Sequence, residues 1–448
     1  MGSGWPPGPR GSPVFGSLRE LRRDRLGFLT GLAREYGDFV PFRLKRKTAV
    51  FINDPELIQI VVSHQAADFS KNFLSDFFHP AVRRHLLFSD ADSWLEQRRL
   101  AAPIMRPDRM PAYCTLMVDQ TRRAADAWRD GDCLDVAVEM RLLTLEVLAR
   151  CLFEVELGDL AAEGAEIIDA VLADVGERAF DPWYTAIIPT PRNRQLWARL
   201  ARGQRIIDQL IAERRLHLDG HEDLLSALIV NAGRDGRPLT DDQIKQAAVP
   251  LLFAGHETTA SALSWTLHLL SRHPHVESLL VAEIDQVIGE RPPSMQDVQQ
   301  LKYAGRVLHE SLRLYPPIWG FGREAVRDTA LGGFDIAAGT IVFASQWVLH
   351  RDPRYFENPS TFDPDRWSDG LASRLPRCAY MPFGAGPRRC LGSTFAILEA
   401  VLLLVTLYQR FTFSPNPYGE PAMEPLITLR PKGLRLVARR RKASQKLA

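Results

Sequence analysis

A mainly α-helical fold with small β-sheets is predicted by three features of the chain. A helical pattern dominates from Asp54 to about Glu310, divided by Pro- and Gly-marked loops near His79-Pro80, Asp181-Pro182, Pro189–Pro191 and Gly233–Pro238; one capped stretch within it reaches from Asp241 to about His273, and two short apolar segments before it read as paired strands. In chain order, Gly4 to Ser17 is rich in Pro and Gly, and residues 1–20 read as an extended arm; a helix is expected from about Leu26 to Tyr36. Phe39–Leu44 and Thr48–Ile52 form the strand pair, with Lys45-Arg46-Lys47 as the turn. The long stretch from Asp241 has Thr240 as a cap, Gln243 three residues on, and Pro274 as its stop. At 1.5 Å per residue it would be about 50 Å long. Pro250 cannot donate to the carbonyl of Gln246 and Gly255 is a poor helix former, so residues 250–259 should be kinked or opened. With no internal repeat or long linker, the chain reads as one domain over 1–448.

Composition limits the function classes. The 448 residues are 46% hydrophobic and 25% charged, with a formal net charge of +2, so the average surface has no strong pull on nucleic acid or acidic membrane. The five cysteines are odd in number and include no Cys-x-x-Cys pair, which argues against a disulfide framework or a structural zinc site and for a reducing, cytoplasmic setting. Phe395–Tyr408 is apolar but interrupted by Glu399 and shorter than the roughly 20 residues of a membrane span. It reads as a buried helix, and the first ten residues lack the apolar run of a secretory signal.

The most informative segment is Phe383-Gly-Ala-Gly386-Pro-Arg388-Arg-Cys390-Leu-Gly392. One reading is a Gly-rich loop with a buried cysteine. The other starts from the apolar helix expected from Leu391 to about Arg410, whose N-terminal amides favour an anion and should lower the thiol pKa of Cys390. A thiolate is a good iron ligand, Gly386 permits a tight turn around it, and Gly392 removes a side chain where the helix would pass a flat cofactor. Position for position the string matches Phe-x-x-Gly-x-Arg-x-Cys-x-Gly and resembles the haem-binding loop of the cytochrome P450 family, most closely its soluble bacterial members.

The resemblance implies the cytochrome P450 fold, haem b (iron protoporphyrin IX) lying between the long oxygen-binding helix and the cysteine-loop helix, and Cys390 as axial ligand of its iron. Arg388, together with Trp94 and Arg98 of Trp94-Leu-Glu-Gln-Arg98 and Arg323 of Gly322-Arg323-Glu324, would serve the haem propionates. Trp94 to Arg98 would otherwise be a surface amphipathic turn. Glu310-Ser-Leu-Arg313 sits at i, i+3 on one helical face and Arg366 lies in Phe362-Asp-Pro-Asp-Arg366-Trp, and the family likeness implies that these three support the site rather than react. Ala254-Gly255-His256-Glu257-Thr258-Thr259 resembles the oxygen-binding segment, with Glu257 and Thr258 in the acid and alcohol positions that relay protons to bound dioxygen. His256 is expected to face outward and not to bind iron.

The function implied is a haem-thiolate monooxygenase that inserts one oxygen atom from O2 into an apolar small molecule of terpenoid, fatty acid, steroid or polyketide type. Two alternatives stay open: a peroxide-driven, rearranging or oxidative-coupling relative, and a non-catalytic haem-binding sensor. Electrons would come from a separate ferredoxin or flavodoxin and its NAD(P)H reductase, docking on Arg106, Arg109, Arg351, Arg354 and Arg389, with the chain itself a monomer. Family position suggests a substrate pocket lined by Phe73, Phe77, Phe78, Trp183, Tyr184, Trp319 and Phe321, though aromatics at such places also serve as plain packing.

Overall fold

The computed structural model describes residues 4–71, 91–158, 160–178, 181, 185, 187–221, 223–231, 236–416 and 419–441. The N-terminal arm is shorter than expected. A helix, α1 (Leu18–Arg23), already forms inside it, followed by α2 (Arg25–Tyr36), whose N-cap Asp24 accepts from the Gly27 amide at 2.8 Å. The strands β1 (Phe39–Leu44) and β2 (Lys47–Ile52) pair antiparallel from Phe39↔Ile52 to Leu44↔Lys47, and Lys45 takes the left-handed conformation, φ 56°, that the tight turn needs.

Those strands enter a sheet of order β1-β2-β8-β5-β3, completed by β3 (Phe69–Ser70), β5 (Phe321–Ala325) and β8 (Ile341–Ala344); β2 and β8 run parallel. Along β2 the side chains alternate between two cores. Ala49 and Phe51 pack with Leu29, Phe42 and Ile341 beneath α2, while Val50 and Ile52 pack with Ile58, Val61 and Val342 on the other face. A hairpin of β6 (Thr329–Leu331) and β7 (Phe334–Ile336) lies between β5 and β8 in sequence. Elsewhere, β4 (Cys133–Asp135), β12 (Arg435–Arg440) and β9 (Phe411–Pro415) form a second small sheet, and β10 (Ala422–Pro425) and β11 (Leu429–Lys432) a hairpin.

The helical part comprises α3 (Ala91–Ala101), α4 (Met110–Asp126), α5 (Val136–Phe153), α6 (Leu160–Glu177), α7 (Pro191–Leu216), α8 (Leu224–Val230), α9 (Asp241–Arg272), α10 (Pro274–Val287), α11 (Lys302–Leu314) and α12 (Ser393–Tyr408). Thr240 and Gln243 close a capping box on α9, with the Thr240 amide 2.9 Å from Gln243 Oε1. The opening expected at 250–259 does not break the helix, which runs continuously through Pro250. Gly255 has a packing reason instead: a Cβ there would lie 2.9 Å from Leu148 Cδ1 of α5, so glycine lets the two helices approach closely. The main core gathers α4, α5, α9, α11 and α12, with Leu263, Leu267, Leu402, Leu403 and Val405 fully buried. No helix among the described residues is long and apolar enough to cross a membrane.

Candidate functional site

Cys390 sits between a single 3-10 turn, Gly386–Arg388, and the N-cap of α12 at Gly392, so the helix starts two residues later than its apolar pattern suggests. Its amide donates to Phe383 O at 2.9 Å and the Arg389 amide to Gly386 O at 3.1 Å, which fixes the loop as two linked turns. Gly386, at φ +68°, is required by close approach, because a Cβ would fall 1.8 Å from Val62 O. Cys390 is exposed as a residue, yet the surrounding protein raises its thiol pKa above the ordinary value. Burial is the largest influence; the Gly392 amide and the charges of Arg98 and Arg389 oppose it. The expected lowering of the thiol pKa by the helix terminus is thus reversed in the protein alone.

Three of the proposed propionate donors come together beside this loop. The Arg388 guanidinium lies 4.6 Å from the Trp94 ring centroid and that of Arg98 lies 5.7 Å from it, while Arg98 Nη1 donates to Arg389 O at 3.0 Å. α3 therefore delivers an indole N–H and a guanidinium to the edge of the cysteine loop. Gly392 meets only Met105, at 3.8 Å, so the protein atoms alone would admit a side chain there. A thiol flanked by two guanidiniums and an indole, with an open glycine next to it, suits a planar dianionic macrocycle. Arg323 is carried by a different layer, on β5, where Nη1 donates to Gly322 O at 2.8 Å and the guanidinium stands over Phe321.

Behind the loop, Glu310 and Arg313 of α11 are both fully buried and pair through Nε–Oε2 (2.8 Å) and Nη2–Oε1 (2.7 Å). Glu310 also accepts from Arg366 Nε (2.9 Å), Trp367 Nε1 (2.9 Å) and the Asp363 amide (3.1 Å). Arg313 donates onward to the carbonyls of His350, Pro359 and Thr361. His350 in turn accepts from the Met381 amide through Nε2 at 3.1 Å, which ties the network to the chain just ahead of Phe383. Burial and the charges of Arg313 and Arg351 hold His350 neutral, with a pKa of about 3. His350 and Tyr380, whose hydroxyl donates to His309 O, belong to this structure without a motif in the sequence, and Trp367 enters there only as the residue after Arg366.

On α9, Thr258 Oγ1 donates to Ala254 O at 2.6 Å, whereas the adjacent Glu257 turns to another face. Glu257, 2% exposed, accepts from Thr428 Oγ1 at 3.0 Å and lies 3.7 Å from Arg430 Nη1, and its Oε2 has no hydrogen-bond partner. That face continues one and two turns on, where Ser261 Oγ and Trp265 Nε1 both donate to Leu429 O. Burial raises the Glu257 pKa, most of all, and Asp169 adds to this; Arg430, Thr428 and Arg141 oppose it. Asp169 of α6 bridges Arg141 and Arg430, at 3.2 Å from each. None of these partners was foreseeable, since β11 follows Glu257 by some 170 residues and carries no motif. His256 is not outward-facing: it is fully buried, with neither ring nitrogen hydrogen-bonded and its pKa lowered to about 3, chiefly by burial.

Other expectations fare unevenly. Phe73, Phe77, Phe78, Trp183 and Tyr184 lie outside the described residues. Trp319 packs against the core beneath α2 and its indole donates to Leu426 O at 3.1 Å, while Phe321 packs in the opposite core of the sheet. Two members of the basic docking patch must be withdrawn. Arg351 stacks on Trp347 at 3.4 Å and donates to the Leu314 and Trp347 carbonyls, burial lowering its pKa to about 9; Arg354 is committed to Asp38 and Asp352.

Comparison with known proteins agrees with the geometry around Cys390. The family model described as cytochrome P450 matches residues 6–438. Among relatives, the cyclooctat-9-en-7-ol 5-monooxygenase of Streptomyces melanosporofaciens is 35% identical over 91% of this chain and 89% of its own length. The cyclooctatin synthase of the same organism is 35% identical over 96% and 94%, and the pentalenene oxygenase of Streptomyces avermitilis is 31% identical over 96% of each. Such likeness along nearly the whole chain brings with it a haem-thiolate cofactor, O2 and a source of electrons. The chain belongs to the cytochrome P450 family and is a monooxygenase of that family.

Proposed function

We propose that this chain, acting as one domain and as a monomer in the cytoplasm, oxygenates a terpenoid, with haem b bound through Cys390. The observation that carries the assignment is the convergence of Trp94, Arg98 and Arg388 on the Cys390 loop. When bound, the thiolate-ligated iron supplies the activation of dioxygen. The chain's own residues do the rest. Arg388, Arg98 and Trp94, joined by Arg323, hold the propionates, while the Glu310–Arg313–Arg366 network keeps the loop in place. Thr258, whose own proton goes to Ala254 O, keeps its lone pairs for a water beside α9. Glu257, with its raised pKa, holds a proton at neutral pH more readily than an ordinary carboxyl and passes it on when it turns from Thr428.

Terpenoid as substrate class rests on the named relatives, which act on cyclooctat-9-en-7-ol and pentalenene. Electrons come from a ferredoxin or flavodoxin and its NAD(P)H reductase, docking on Arg109, Arg389 and Arg106, the last of which also pairs with Asp108 at 3.1 Å. Screening a terpenoid panel by Soret shift, on the wild type and on Cys390→Ser, tests the assignment. The wild type should show thiolate-type spectra and shift with a subset of the panel, and the variant should fold but lose the thiolate signature. Identical spectra for the two proteins would remove Cys390 from the iron.

A further inference from the structure

Two guanidiniums of this molecule line one cavity without a carboxylate to pair with. The cavity, about 1320 Å³, lies along α2 and is bounded by the helical turn Gln346–Leu349, the chain just after it and the β10–β11 hairpin. No described residue of its lining belongs to α9 or to the Cys390 loop, so it is distinct from the site around Cys390. Six arginines line it against four carboxylates, and each carboxylate is already engaged. Asp38 and Asp352 pair with Arg354, Glu177 pairs with Arg192 at 2.7 Å, and Asp24 accepts from the Gly27 amide. Arg25, the first residue of α2, donates to backbone instead: Nη2 to Gly176 O at 2.6 Å, and Nη1 to Pro425 O at 2.7 Å and Leu426 O at 3.3 Å. Arg351 lies over the Trp347 ring and donates to the Leu314 and Trp347 carbonyls.

Among the described residues, neither of these two guanidiniums pairs with a carboxylate and neither offers its Nε–H to an acceptor. Burial lowers both pKa values, with Arg22 adding to the effect at Arg25 and Arg313 at Arg351; Glu177 and Glu310 offset this only in part. At about 9, Arg351 is still a cation at neutral pH. Positive charge that is partly desolvated and lacks a bonded anion favours an incoming one, and a cleft focuses that attraction. An oxyanion can take two N–H groups of one guanidinium side by side. Beside the arginines the lining has an apolar part, made by Met423, 45% exposed, with Pro425, Leu426 and Trp347. A Cβ on Gly31 of α2 would meet nothing within 4 Å, so that stretch of the wall stands open. We propose that this cavity is a second ligand site, for an anionic amphiphile: Arg25 and Arg351 draw its phosphate or carboxylate head, and the apolar part takes its chain.

Calorimetric titration of the haem-loaded protein tests the site, with the iron first blocked by a saturating azole. Decyl phosphate and decanoate are the probes, kept below micelle formation, with inorganic phosphate and decanol as head and chain alone. One equivalent of at least one amphiphile should bind without moving the azole Soret band, and inorganic phosphate and decanol should each bind at least about tenfold more weakly. The tighter of the two amphiphiles assigns the head. Arg25→Gln and Arg351→Gln should each weaken the amphiphile about tenfold, as expected for losing one charge-assisted pair. Arg205→Gln, an exposed change on α7, should leave it as it was. Met423→Gln should weaken the amphiphile but not inorganic phosphate. If Arg351→Gln does not fold, Arg25→Gln and Met423→Gln carry the test alone. Absence of binding by either amphiphile, decanol binding as tightly, wild-type affinity in Arg25→Gln, or displacement of the azole by the probe would each overturn the site.

Discussion

Glu310 and Glu257 are both buried glutamates on core helices, and both face arginine, yet they are treated in opposite ways. Glu310 receives hydrogen bonds on both oxygens from Arg313, Arg366, Trp367 and the Asp363 amide. Glu257 accepts one, from Thr428, keeps Arg430 at 3.7 Å, and leaves Oε2 bare. The first arrangement fixes a charge by saturating it, as a support behind the cysteine loop requires. The second leaves a carboxyl cheap to protonate and free to turn, as proton delivery requires. On the proposed reading the same residue type serves rigidity on the sulfur side and adaptability on the oxygen side, and the number of donors decides which.

Substitution by glutamine should separate the two. In Glu310→Gln, Arg313 and Arg366 lose their counter-charge inside the core, and breaking such a buried pair costs about 3–5 kcal/mol. Denaturant unfolding should register that loss, with haem content falling alongside it. Glu257→Gln should instead stay within about 1 kcal/mol of the wild type, since the charge it removes is poorly satisfied. Its loss should appear in turnover, with product formed per electron consumed down roughly 100-fold, the low end for removing a general acid. Thr258→Ala should raise peroxide release in the same assay. Equal destabilisation by the two glutamine variants, or unchanged coupling in Glu257→Gln, would erase the distinction.

How far each region could be read in advance follows the same line. The capping box of α9 and the β1–β2 turn depend on neighbours in sequence, so their patterns declare them. The cysteine loop was legible for another reason, a dense motif in which Gly386 answers to Val62 O, although the start of α12 was placed early because the linked turns around Cys390 leave no periodic trace. Glu310, Arg313 and Arg366 were found as separate motifs, but not the His350–Met381 bond that joins them to the loop. The surroundings of Glu257 were hidden altogether. Arg430, Thr428 and Asp169 reach it from other elements, and pairing at such range imposes no local period. Gly255 shows the converse: a glycine read only as a weak point in α9 is also required by Leu148 of a neighbouring helix.

A third glutamate sharpens the comparison, with an effect of about 1.4 kcal/mol for each pH unit. Glu399 belongs to α12, the helix that follows Cys390, but reaches Thr259 of α9, so it lies where the two regions meet. It is fully buried, and burial pushes its pKa up to about 8; the Thr259 hydroxyl offsets this only in part, neither group meeting hydrogen-bond geometry. In the unfolded chain a glutamate titrates near about 4.3. Between those two values the folded protein holds a proton that the unfolded chain has released. The stability this gives is therefore complete below about pH 4 and drains away as pH rises through about 8, above which it changes no further. Denaturation midpoints of wild type and Glu399→Gln, compared at successive pH values, should diverge steadily in that window, the variant losing less stability as pH rises. Parallel curves would mean that Glu399 is ionised in the core and paired after all, which would align it with Glu310 instead of Glu257.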